Sequence, residues 1–266
     1  MKRVFLFDLD GTLCESRKSP PTHVVQALSQ AHQFAEIGIL TGSDLDFLQE
    51  QCDELFQSLP HDNKIYALAC NGTKAYHVDH VPLAPVGYNL IHEESLQTRL
   101  GDDQFHGLMK HLINMQAQLV NKIHMPLTGN FITYRGSTIN WCPIGRGADD
   151  TQRAKFMQLD EQHDLRTKAL IKLKEHVCRN HLKLVVNIAG DTSFDIYPEG
   201  WDKTYAMRFF TEHDVYFWGD RMSPDGNDHT MHLLLGDKSF PVTGPDDTAS
   251  SVRQAVKQLC VSGNSA

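Results

Sequence analysis

Four consecutive apolar residues, Val4-Phe5-Leu6-Phe7, run straight into Asp8-Leu9-Asp10-Gly11-Thr12. A short, uninterrupted apolar run reads as a strand buried on both faces, and such strands belong to parallel sheets covered by helices. The Asp-Gly step ends the strand in a tight turn. Open parallel sheets bind ligands outside the carboxyl ends of their strands, so the two carboxylates stand where chemistry is done. The pattern recurs. Ile37-Gly38-Ile39-Leu40 stops at Thr41-Gly42-Ser43-Asp44, and residues 65–70 stop at Asn71-Gly72. Between these runs, Val24, Val25 and Leu28 follow Pro20-Pro21-Thr22 at helical spacing, with Thr22 as the predicted N-cap; Leu45, Leu48 and Cys52 share that spacing. The first 75 residues therefore read β-α-β-α-β, a doubly wound parallel sheet.

The middle of the chain has another rhythm. Residues 105–120 carry Phe105, Leu108, Met109, Leu112 and Leu119, an amphipathic helix. Residues 131–135 and 139–144 alternate around Gly136-Ser137, as antiparallel strands do. A second amphipathic helix is predicted over 164–178, and strands over 182–189 and 193–197. The end returns to the first style. A helix begins at Lys203, Val215-Tyr216-Phe217-Trp218 is a buried strand halted at Gly219-Asp220, and residues 240–243 form a short strand. Asp246-Asp247-Thr248 are expected to cap a final helix through Leu259. The predicted organisation is an α/β core built from residues 1–83 and 198–266, interrupted by an α+β insert at 84–197.

Composition excludes several alternatives. In 266 residues, 41% are apolar and 22% charged, so disordered and collagen-like architectures are out. Lys plus Arg number 25 against 33 for Asp plus Glu, a formal charge of −8. Such a chain does not attract nucleic acid or an anionic membrane through its overall field, and an anionic substrate requires a local basic pocket. No run approaches the roughly 18 apolar residues of a membrane span. The N-terminal apolar run is shorter than the about 7–15 residues of a signal peptide, and six scattered cysteines include no C-x-x-C pair. A cytoplasmic chain with free thiols is expected. His77 with His80, and His229 with His232, have i, i+3 spacing but read as surface histidines rather than metal ligands.

Asp8 and Asp10 suit a nucleophile and a general acid/base. A lone D-x-D is only a strand-ending turn, but Asp220 ends a second strand and Asp228 closes Gly226-Asn227-Asp228. Carboxylates from two strand ends make a hard oxygen site of the kind Mg²⁺ takes. Thr41 offers a hydroxyl to an oxyanion, and Lys203 is placed to lie between carboxylates and phosphate.

With these residues in view, the chain resembles the haloacid dehalogenase (HAD) superfamily and, within it, the eukaryotic-type phosphomannomutases. The core carries D-x-D-G-T, then a Thr, a Lys and G-D…G-N-D. Pro143-Ile144-Gly145-Arg146, Ser193-Phe194-Asp195 and Gly200-Trp201-Asp202-Lys203 extend the likeness, which runs from residue 4 to about 258. The resemblance implies a HAD-like core with a type C2b-like cap. It implies an aspartyl-phosphate on Asp8, acid/base work by Asp10, and Mg²⁺ held by Asp8, the Asp10 carbonyl and Asp220, with Asp228 in or near that shell. Arg17, Arg135, Arg146 and Arg153 match phosphate and sugar contacts, and Ser193 and Asp195 match residues near the sugar hydroxyls or distal phosphate. It further implies a phosphorylated hexose substrate, a hexose 1,6-bisphosphate activator and a homodimer joined through the cap, with which apolar surface around residues 108–119 is compatible, although the same segment reads equally as cap core. Thr41, Cys70, Arg221 and Asp225 depart from the family pattern. A sugar-phosphate phosphatase using Asp8 and Asp10 is the alternative, and a silent sugar-phosphate sensor is a third reading.

Overall fold

The alternation of buried runs and amphipathic helices produces the following order in the computed structural model, which describes residues 2–60, 63–79 and 84–263. The first part runs β1 (Lys2–Phe7), α1 (Thr22–His32), β2 (Glu36–Leu40), α2 (Leu45–Ser58), β3 (Ile65–Ala69), β4 (Lys74–Asp79) and β5 (Gly87–Glu93). The middle contains α3 (Leu96–Leu100), α4 (Asp102–Lys122), β6 (Ile132–Tyr134), β7 (Ile139–Trp141), α5 (Asp150–His163), α6 (Leu165–Arg179), β8 (Leu184–Ala189) and β9 (Ser193–Pro198). The last part holds β10 (His213–Gly219), α7 (His229–Leu235), β11 (Ser239–Pro241) and α8 (Pro245–Gly263). Two units result: Met1–Glu93 with Gly200–Ala266, and Glu94–Glu199.

In the first unit a seven-stranded sheet has the order β11-β10-β1-β2-β3-β4-β5. The pairs from β11 to β3 are parallel, and β4 and β5 add antiparallel to the far edge. Phe5 and Phe7 pack with residues of α1, α2 and α8 on one face, while Val4 and Leu6 pack with Ala206, Phe210 and Met231 on the other. Both faces are covered, which explains why these strands read as unbroken apolar runs. The chain leaves β1 toward β2 on one side and returns as β10 on the other, so the carboxyl ends of β1 and β10 form the topological switch point.

In the second unit a four-stranded antiparallel sheet has the order β6-β7-β9-β8. Its strands send alternate residues to opposite faces. Ile139, Trp141, Phe194, Ile196, Leu184 and Val186 join Leu108, Leu112, Met115, Ala169 and Leu173 of the helices in one core. The intervening row, Thr133, Asn140, Asp195 and Asn187, is in cross-strand register and polar. Leu108, Leu112 and Met115 are buried in this core, so of the two readings of residues 108–119 these three positions follow the cap-core one.

Several expectations are corrected. Residues 87–93, assigned to the insert, are strand β5 of the first unit's sheet; Val86 and Tyr88 pack on its core and the Tyr88 hydroxyl donates to Asp53 Oδ1 at 2.5 Å. Thr22 is the first residue of α1, and Pro21 takes the cap position with no side-chain bond. Residues 203–209 form a 3₁₀ turn rather than an α-helix, begun by Asp202, whose carboxylate accepts from Thr204 N at 2.9 Å. Helix α8 starts earlier than expected, at Pro245, a residue preorganised for a first helical turn. The strand expected at 240–243 is Ser239–Pro241. Helix α5 was not predicted, because Phe156 is its one buried residue and its sequence shows no apolar stripe. Cys14, Cys52, Cys70, Cys142 and Cys178 are free thiols. Among the described residues no helix is long and apolar enough to cross a membrane. His80 lies outside the described residues; His229 Nδ1 meets the Met222 carbonyl at 2.9 Å and His232 Nδ1 the Ser239 hydroxyl at 2.6 Å.

Candidate active site

The strand ends deliver the charged groups. Asp8 follows β1, its N–H still bonded to Trp218 O at 2.9 Å, and Asp220 follows β10. Asp228 comes back toward the strand end through the turn at Gly226, where its carboxylate accepts from Arg221 N at 3.1 Å. Asp8, Asp220 and Asp228 each bring a carboxylate oxygen within 4.8 Å of the others, the one such cluster among the described residues. Lys203 is fully buried, and its ammonium donates to Asp8 Oδ1 and, at 2.5 Å, to Asp228 Oδ1. Thr12 Oγ1 reaches Asp220 Oδ1 at 3.4 Å. Gly11 permits the approach: at φ +88° it takes a left-handed turn, and a Cβ there would sit 2.8 Å from Asp220 Cγ.

The electrostatics follow from this crowding. Burial pushes the Asp8 carboxyl well above the ordinary range, with Asp228 and Asp220 adding to it against the pull of Lys203. Asp220 is raised by burial and by Asp228. Burial works against the Lys203 ammonium, but Asp228 and Asp8 outweigh it and hold its pKa above that of an ordinary lysine. The Cys14 thiol is pushed up to about 12, first by burial and then by Asp10 and Asp8. Three carboxylates around one ammonium leave negative charge unbalanced in a dry place. An all-oxygen donor set with that surplus fits a hard divalent cation.

Asp10 does not join the carboxylate cluster. Its Oδ1 accepts from Arg17 N at 2.9 Å and from Gln51 Nε2 at 3.1 Å. Arg17 stands at φ 64° with its side chain exposed. Thr41 is buried at the end of β2, and its Oγ1 accepts from Ser43 N at 3.1 Å. The neighbouring turn holds three successive residues in left-handed conformation: Cys70 at φ 48°, Asn71 at 62° and Gly72 at 85°. Its bonds tie the loops together: Asn71 N to Thr41 O at 2.8 Å, Cys70 N to Ser43 O at 2.7 Å, and Asn71 Nδ2 to Trp201 O at 3.1 Å.

The second unit carries its own polar cluster. Arg135 is buried, with Nη1 3.9 Å from Asp195 Oδ1. Asn140 Nδ2 donates to Asp195 Oδ1 at 2.8 Å, and Arg146 Nη1 donates to Asn140 Oδ1 at 3.2 Å. Arg153, on α5, donates to Asp191 Oδ2 at 3.0 Å and Thr192 Oγ1 at 3.3 Å, next to buried Ser193 at the start of β9. Sequence reasoning missed Gln51, Asn140, Thr192 and Asn71. Gln51 could have been found from its place on the buried stripe Leu48-Gln51-Cys52-Leu55.

A seven-stranded sheet with aspartates at its switch point and an α+β insert defines a HAD-like fold. A haloacid dehalogenase-like hydrolase from Bacteroides thetaiotaomicron superposes with TM-score 0.58 at 15% identity, covering 96% of this chain and 100% of that one. An N-terminally truncated IMP-nucleotidase of Plasmodium falciparum gives 0.65 at 12% identity over 95% of this chain and 69% of that one. These likenesses concern the fold alone. Sequence resolves the family. The model of the eukaryotic phosphomannomutase family matches residues 24–258. A phosphomannomutase of Oryza sativa subsp. indica is 34% identical over 250 residues, 93% of each chain, and that of Encephalitozoon cuniculi (strain GB-M1) is 33% identical over 267 residues, 98% of this chain and 96% of the other. The chain belongs to the eukaryotic phosphomannomutase family.

Proposed function

We propose that this chain interconverts mannose 6-phosphate and mannose 1-phosphate, with Asp8 as the phosphoryl carrier and a hexose 1,6-bisphosphate as activator and intermediate. The observation that carries the reading is the buried Asp8–Lys203–Asp228 cluster beside Asp220, in a chain of this family. In the first half-reaction an Asp8 oxygen bonds to phosphorus of the bisphosphate, the bond from phosphorus to the sugar oxygen breaks, and Asp10 gives that oxygen its proton. In the second, the free 6-hydroxyl of a mannose 1-phosphate loses its proton to Asp10 and takes the phosphoryl group from Asp8, which regenerates the bisphosphate and the free carboxylate. Asp10 is oriented for both by Arg17 N and Gln51 Nε2. Lys203 holds Asp8 by a charge-assisted bond and counters the charge of the incoming phosphate. Asp8 is only 5% exposed, which limits loss of the acyl phosphate to water.

Asp8, the Asp10 carbonyl, Asp220 and Asp228 are the residues that would hold Mg²⁺, which supplies countercharge for phosphoryl transfer. Thr41 offers its hydroxyl to the phosphoryl oxygens. Arg135, Arg146 and Arg153, with Ser193 and Asp195, serve the sugar and its non-reacting phosphate, and Arg17 is a further phosphate contact. A planar guanidinium binds phosphate in a bidentate fork and stays charged, which answers the need for a basic site in an acidic chain. A cytoplasmic homodimer joined through the insert completes the reading, and its seat is other than Leu108, Leu112 and Met115, which lie in the core.

The test is turnover of mannose 1-phosphate with Mg²⁺, with and without mannose 1,6-bisphosphate, following mannose 6-phosphate and free phosphate together. Bisphosphate-dependent mannose 6-phosphate without free phosphate is expected. Free phosphate as the main product overturns the mutase reading and leaves a sugar-phosphate phosphatase.

A further inference from the structure

A cavity lies in the insert, apart from its polar row. It has a volume of about 270 Å³ and opens between α4, α6 and the apolar side of the four-stranded sheet. Its floor includes Trp141, Leu119 and Leu165, and its rim carries Lys122, Lys168 and Lys172, with no aspartate or glutamate among the lining residues. Trp141 belongs to the sheet face opposite Asn140, so the strand that presents Asn140 to Arg146 presents its next residue to this cavity.

The charge arrangement is not explained by helix stability. Lys168 and Lys172 sit four apart on α6, a like-charge spacing that disfavours the helix, and Lys168 lies in its first turns, where the helix dipole is already positive. Lys168 is tied to the His163 carbonyl at 2.7 Å and lies 3.9 Å from Asp164. Lys122 and Lys172 make no hydrogen bond or ion pair among the described residues. Two exposed ammonium groups with no protein partner among the described residues, and a third beside them, thus stand around an apolar floor in a chain of net charge −8.

We infer that this cavity binds a small amphipathic organic anion, its apolar body against Trp141, Leu119 and Leu165 and its anionic head on Lys122, Lys168 and Lys172. The volume is just below the about 300–1,000 Å³ of ordinary small-molecule sites, which restricts the ligand to a fragment-sized body. Both halves of the ligand are required: a bare anion leaves the floor wet, and a neutral hydrocarbon leaves the lysines unanswered. The inference is independent of the phosphosugar reading, since none of its residues takes part in that site.

Octane-1-sulfonate is the probe, because its head group cannot be transferred to or from Asp8. Titration of the full chain by calorimetry, with tryptophan fluorescence in parallel, is expected to show one saturable site per chain. Methanesulfonate and octan-1-ol are expected to bind at least about tenfold more weakly. In K168Q/K172Q, whose substitutions are on the surface, octane-1-sulfonate affinity is expected to fall about tenfold or more, with mannose 1-phosphate turnover unchanged. Ala169→Met narrows the cavity at constant charge and is expected to weaken binding likewise. Trp141→Phe is expected to abolish the fluorescence response while the calorimetric signal persists. Equal affinity in K168Q/K172Q, displacement of the sulfonate by mannose 1-phosphate, or no saturable heat at millimolar concentration would each overturn the proposal.

Discussion

The two units treat charge in opposite ways. In the first, Lys203, Asp8 and Asp228 are dry, and the Lys203 ammonium joins the two carboxylates directly. In the second, Asn140, Asp195, Arg146 and Arg153 are spread along one row and edge of an antiparallel sheet whose other face is wholly apolar. A buried cluster concentrates field, shifts proton affinities and depends on its one cation. A sheet face distributes binding over many weak contacts, and each is replaceable at modest cost. On the proposed function, the difference places transfer chemistry where the fold depends on a single cation, and recognition where the polar contacts are spread.

Breaking the dry cluster gives the largest effects. Asp8→Asn is expected to reduce mutase turnover on the order of 10⁴-fold or more. Its thermal midpoint is expected to stay near that of the parent, because the lost charge was opposed by burial, Asp228 and Asp220. Lys203→Met strands Asp8 and Asp228 without their cation and is expected to destabilise the first unit by about 3–5 kcal/mol in urea unfolding. Mg²⁺ at a hundredfold over its dissociation constant is expected to add about 2.7 kcal/mol of stability, removable by chelator and absent in Asp220→Asn. The sheet-face counterpart is milder: Arg146→Ala is expected to lower kcat/KM about 10–150-fold, through loss of a charge-assisted phosphate contact of about 1.5–3 kcal/mol, with little change in the unfolding midpoint.

The smallest effect is on pH. His111 of α4 and His176 of α6 stack with ring centroids 3.8 Å apart. Both have lowered pKa values: burial, His176 and Arg179 act on His111, and burial and Arg179 on His176. The unfolded chain therefore binds more protons between the lowered values and the ordinary about 6.5, so stability falls as pH drops below about 6.5. A melting series from neutral to mildly acid pH is expected to show this in the parent and less of it in His111→Phe.

Much of the first unit was legible because a strand buried on both faces leaves a short apolar run, and here each run stops at a glycine-containing turn that separates it from a buried helix. The site was legible for the same reason, since Asp8 and Asp220 stand directly after such runs and chemistry gathers at those ends. Strands β4 and β5 were not legible: β4 mixes buried and exposed positions, and the register shifts at Ala75/Tyr76. Helix α5 hides because Phe156 alone is buried, although its Asp149–Gln152 capping box was readable. Gln51 hides because an amide on an apolar stripe gains meaning only once Asp10, 41 residues away in the chain, is seen across from it.

The pairing of β1 with β10 has a consequence in time. Lys203 lies 195 residues after Asp8, and the central strand waits for its neighbour until nearly the whole chain exists. At about 5–20 residues per second, a nascent chain spends on the order of 10–40 s with β1 made and its partner not yet synthesised. The insert, whose strands pair only among themselves, is complete within that interval. Asp8 gains its counter-ion only when the last quarter of the chain brings Lys203, so the proposed nucleophile is among the final groups to be paired.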